Sequence, residues 1–90
     1  MEKFDAKFYG EIRKVKDDTV VPDETWMLFL LKDNAFAATL PFYLNKCIEL
    51  GCDDEHVESV KRAIGRMDRW RKANHGLCKN PDAKGEKLIG

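Results

Sequence analysis

The chain has 90 residues, 43% apolar and 36% charged, with 16 basic and 16 acidic side chains and a formal charge of zero. That balance suits one compact domain and excludes a disordered, low-complexity or fibrous chain. The longest apolar run, Trp26 to Leu31, is about a third of the roughly 20 residues that a membrane-spanning helix needs.

The zero net charge conceals an asymmetry. Residues 1 to 60 carry 7 Lys/Arg against 13 Asp/Glu, whereas residues 61 to 90 carry 9 against 3. The halves are therefore −6 and +6, which fits either attraction between them or a bound polyanion. The start, Met1-Glu2-Lys3-Phe4-Asp5, lacks the basic-then-apolar pattern of a secretory signal. Three cysteines, Cys47, Cys52 and Cys78, are an odd number that does not suggest a disulfide framework. Both features lead us to expect a cytoplasmic protein with free thiols.

Residues 1 to 21 are expected to form a short β-hairpin. Phe8, Gly10 and Ile12 alternate with Tyr9, Glu11 and Arg13, Asp17-Asp18 is a turn signal, and Thr19-Val20-Val21 returns as a second strand. Pro22 with Asp23-Glu24 suits a helix start. A helical segment is therefore expected over 23 to 50, carrying Trp26, Phe29 and Leu30 on one face and pausing at the N-cap residues Asp33-Asn34. Pro41 should kink it sharply or force a fresh start capped by Thr39. Phe36, Leu40, Tyr43, Leu44, Cys47 and Ile48 keep helical spacing across the proline, and Gly51 supplies a C-terminal stop.

A long helix is expected over 53 to 75, capped by Asp53. Val57, Val60, Ile64, Met67 and Arg71 form its inward stripe, joined by Ala63 and Trp70. Acids gather at its start and Arg66, Arg69, Arg71 and Lys72 at its end, as the helix dipole favours. Residues 77 to 90 read as a partly mobile tail. The resulting class is α+β, mostly α, in one domain: a short N-terminal hairpin packed on an antiparallel helical hairpin. In that arrangement Asp23, Glu24 and Asp33 should lie within reach of Arg66, Arg69 and Arg71, joining the two charged halves.

Cys47, Cys52, His56, His75 and Cys78 invite a zinc reading. A structural site needs four convergent ligands, but Cys52 with His56 and His75 with Cys78 lie at opposite ends of a helix about 30 Å long. No metal and no cofactor is therefore expected. Nucleophile-elbow, P-loop, zincin and dinucleotide motifs are missing, so a non-enzymatic role is favoured.

Arg66, Arg69, Trp70, Arg71, Lys72 and Lys79 are the ligand-binding candidates, because forked arginine donors match phosphate and an indole stacks on a base. The bland alternative is a solvated, dipole-matched helix end. Acids elsewhere would repel a long polyanion, which ranks nucleic acid last among partners. Phe4, Phe8 and Tyr9 are hard to bury in so small a body and are the partner-interface candidates, with a homo-oligomer expected.

Several short patterns carry a resemblance: Trp26-x-x-Phe29 with Lys32-Asp33-Asn34-Ala35, Tyr43-x-x-x-Cys47 with Leu50-Gly51-Cys52, Arg69-Trp70-Arg71, and Cys78-Lys79-x-Pro81-Asp82. Over roughly residues 20 to 85 the chain resembles small accessory proteins of bacteriophages and prophages. That likeness implies a bacterial-host setting and a binding task, such as inhibiting a host defence protein or sequestering its signalling nucleotide. The expected function is thus an inhibitor or modulator of a host protein. The alternative is a nucleotide sponge with a basic and aromatic pocket between subunits.

Overall fold

The computed structural model describes residues 8–81, which divide into two units, residues 8–28 and residues 29–81. The class is α+β and mostly α: a short antiparallel hairpin and a pair of packed helices.

The hairpin pairs β1 (Ile12–Arg13) with β2 (Val20–Val21), Ile12 opposite Val21 and Arg13 opposite Val20. Its loop turns where the acidic pair suggested. Asp18 takes a left-handed φ of 61°, which a short polar side chain tolerates. The Thr19 amide and hydroxyl both donate to Asp17 Oδ1, at 3.1 and 2.6 Å. These bonds hold the Asp17 carboxyl below its usual range. Arg13 closes the loop from below, donating to Asp18 O at 2.8 Å and to Glu11 at 2.8 Å.

The α-helix expected from residue 23 does not form. Asp23–Thr25 make a single 3-10 turn that ends at Trp26 in extended conformation. The Thr25 hydroxyl and amide both donate to Pro22 O, at 2.7 and 2.9 Å. A side chain bonded to the local backbone in this way competes with helix propagation, and the aromatic Trp26 adds little helix propensity.

The second unit is built on α1 (Asn34–Glu49) and α2 (Asp54–Ala73). Asp33 caps α1, accepting from the Ala35 and Phe36 amides at 2.8 and 3.1 Å. Asp53 caps α2, accepting from the His56 amide at 2.9 Å. Of the two outcomes expected at Pro41, the fresh start does not occur: α1 runs continuously through it. Thr39 is an interior residue whose hydroxyl donates to Phe36 O at 2.8 Å. Pro41 is exposed. Phe36, Leu40 and Leu44, half-buried, and buried Cys47 lie on both sides of the proline in the helix packed on α2.

The helices are joined by a Schellman turn. Gly51 has φ +73°, its amide donates to Ile48 O at 3.1 Å, and the Cys52 amide reaches back to Cys47 O at 3.0 Å. So short a connection makes α1 and α2 antiparallel neighbours. The far ends are tied as well. Arg71 donates to Leu31 O at 3.0 Å and to Asn34 Oδ1 at 2.7 Å. Residues 78–80 lie alongside: the Asn34 amide donates to Lys79 O and the Lys79 amide to Lys32 O, each at 2.9 Å. The Asn34 side chain donates to Asn80 Oδ1 at 2.9 Å.

The core between these ties is thin. Among the described residues only Cys47, Val60 and Met67 are buried. Val57, Ile64, Trp70 and Arg71 continue the expected stripe half-buried, while Ala63 is exposed. Phe29 stacks on Phe36 with ring centroids 5.1 Å apart. No described helix is long and apolar enough to cross a membrane.

Candidate functional site

The basic end of α2 does not form one pocket. Helical spacing places Arg66 and Trp70 on one flank, Arg69 and Lys72 on the outer face, and Arg71 inward. Both donor sites of Arg71 seen here go to Leu31 and Asn34, which makes it a structural tie. The Arg69 guanidinium folds back over Gly65, where an added Cβ would meet Nη1 at 3.2 Å. Lys79 contributes its backbone to the pairing with residues 32–34. The ion pairs among the described residues are all local: Arg13 with Glu11 and Asp18, Lys46 with Glu49, and Lys61 with Glu58. Within the second unit no ion pair joins Asp33 to Arg66, Arg69 or Arg71, so that part of the expected bridge is corrected.

Trp70 instead lines an open depression of about 320 Å³ with Leu30, Leu31 and Lys32. Its wall is mostly apolar, with one cation. Of the expected interface residues, Phe4 lies outside the described residues, Phe8 is half-buried and Tyr9 is exposed.

A second apolar surface lies on and at the end of α1. Phe42 is 75% exposed, Leu50 69%, Ile48 54% and Tyr43 53%. Tyr43 and Leu50, seven apart, share one flank of the packed stripe; Ile48 lies on the other flank and Phe42 behind. The only charged side chains in α1, Lys46 and Glu49, pair with each other at 3.1 Å. α1 is thus apolar nearly all round but covered along one stripe only. For Phe42 the signal was present in the spacing, because it cannot share a face with Phe36, Leu40 and Leu44.

The Schellman turn creates a second cluster. Cys47 at the end of α1, Cys52 in the turn and His56 in the first turn of α2 bring their donor atoms within 4.8 Å of one another. Partial burial and the neighbouring Cys47 thiol push Cys52 above the usual thiol range. Hydrogen bonding with Cys47 likewise raises the Tyr43 hydroxyl. Cys78 stands apart, its thiol directed at Asn74 O, 3.6 Å away. Comparison with family models, curated proteins and solved structures returns no match.

Proposed function

We propose that the chain is a non-enzymatic protein-binding module that works through the exposed surface of α1. One observation carries this reading: a 16-residue helix whose only charges neutralise each other leaves Phe42, Tyr43, Ile48 and Leu50 in water. A helix apolar all round belongs inside a larger core. Such a surface offers no phosphate contact, so the partner is a protein with an apolar, weakly charged groove or helix. The thin core supports the same conclusion, because a body this small gains stability from a second chain. Inhibition of a host protein, implied by the likeness to phage accessory proteins, is one form of such binding, and pairing with a second copy is another.

Size-exclusion chromatography with light scattering, on protein purified gently from its producing cells, tests the proposal. The wild type should elute above the 10.4 kDa of a single chain. Phe42→Asp should elute as a folded monomer, because an exposed position tolerates the charge while an apolar interface does not. Wild type and variant both running as bare monomers would count against it.

The nucleotide reading keeps one specific observation, the Trp70 depression with Lys32 at its wall. It loses Arg71 to the fold. Calorimetric titration with linear and cyclic nucleotides should give no heat; submicromolar binding abolished by Arg69→Glu would reverse the ranking.

A further inference from the structure

We propose that the turn between α1 and α2 is a binding site for a thiophilic cation, best suited to Zn²⁺, with Cys47 Sγ, Cys52 Sγ and an imidazole nitrogen of His56 as ligands. This inference is independent of the α1 surface and departs from the expectation of no metal. That expectation counted ligands at the two ends of α2 and found too few at each. It overlooked the 6→1 hydrogen bond of the Schellman turn, from the Cys52 amide to Cys47 O. This bond folds the turn so that Cys52 returns beside Cys47. The Asp53 cap then fixes the first turn of α2, and His56 completes the set.

The distances suit a tetrahedral ion. Ligand atoms bound at about 2.3 Å for sulfur and about 2.0 Å for nitrogen lie roughly 3.5–3.8 Å from one another. The three donors already lie within 4.8 Å of one another. Rotamer shifts of about 1 Å at half-buried Cys52 and exposed His56 close the difference. Two sulfurs and one imidazole select zinc-like ions over hard cations such as Mg²⁺ and Ca²⁺. Binding replaces two thiol protons by one dication, so two protons leave and the site is neutral. Cys47 is buried and His56 exposed, so the fourth position opens to solvent on the His56 side and takes water. The bound ion links the last turn of α1 to the first turn of α2 and reinforces a body whose buried core is three side chains.

The test uses the full chain, reduced and stripped of metal, titrated with Zn²⁺ alone and with Co²⁺ alone. One ion per chain is expected, with about two protons released per zinc, read from calorimetry in buffers of different ionisation enthalpy. Co²⁺ should give a near-ultraviolet thiolate charge-transfer band and intense visible bands of a tetrahedral centre. Removing a ligand should cost more than the 10–100-fold attached to outer-sphere contacts, so Cys52→Ser and His56→Gln should weaken binding by more than about 100-fold. Neither position is buried, and circular dichroism checks that both variants keep their helices. Cys78→Ser should bind as the wild type does. A cobalt spectrum without a thiolate band, or Cys52→Ser binding as tightly as the wild type, would overturn the proposal. So would a reduced chain that takes up no metal but closes a Cys47–Cys52 disulfide in air.

Discussion

Arg71 turns inward from α2 and donates to Leu31 O and Asn34 Oδ1, whereas Arg69, two positions earlier, lies over the glycine of its own helix. The two cations therefore differ in what their loss removes. Arg71→Ala breaks two charge-assisted bonds and leaves Leu31 O and Asn34 Oδ1 short of a donor, a cost of about 2 kcal/mol. Arg69→Ala should stay within about 0.5 kcal/mol of the wild type. Urea unfolding followed by circular dichroism measures both, and equal midpoints would show that the tie carries no weight. Composition could not separate the two residues. Both read as helix-end cations, and only the inward stripe of Val60, Ile64 and Met67 hinted that Arg71 faces the body.

At the scale of elements, what was legible was local chemistry. Asp33, Gly51 and Asp53 marked helix ends because each acts on amides or φ angles within a few residues. The Asp17-Asp18 turn was readable for the same reason. Two features were set by competition instead. The Thr25 hydroxyl bonding to Pro22 O ended a helix that the acidic pair suggested had begun. With packed residues on both sides, α1 continues across Pro41, a residue that by itself breaks helices. The Cys47, Cys52 and His56 cluster was hidden because spacing along α2 was weighed without the turn before it.

That turn yields a sharp test. A Cβ at Gly51 would meet nothing within 4 Å, so Gly51→Ala suffers only the left-handed φ of +73°. The expected cost is about 1–2 kcal/mol, read from the thermal or urea midpoint of the reduced, metal-free chain. An unchanged midpoint would mean that the turn relaxes into another geometry. Zinc affinity would then have to fall too if the turn positions Cys52.

For the whole molecule, the imbalance lies between surface and core. Three buried side chains stand against twelve large apolar residues that remain exposed among those described. Four of these lie on or at the end of α1, a helix without net charge. In the sequence the helical spacing of Phe36, Leu40, Tyr43, Leu44, Cys47 and Ile48 marked one apolar face of this helix. The structure packs one stripe of it against α2 and leaves the others in water. Despite the opposed charges of the two halves, no ion pair joins the α1 start to the α2 end.

The most direct measurement places a photo-crosslinking phenylalanine at position 42, and separately at exposed Arg62 on α2, in the full chain inside its producing cells. Light should yield a discrete protein adduct from position 42, either a doubled chain or a complex of one defined mass, and none from position 62. The adduct should vanish when Ile48→Asp is added to the same chain. No adduct from position 42, or the same adducts from both positions, would contradict a protein-binding surface on α1.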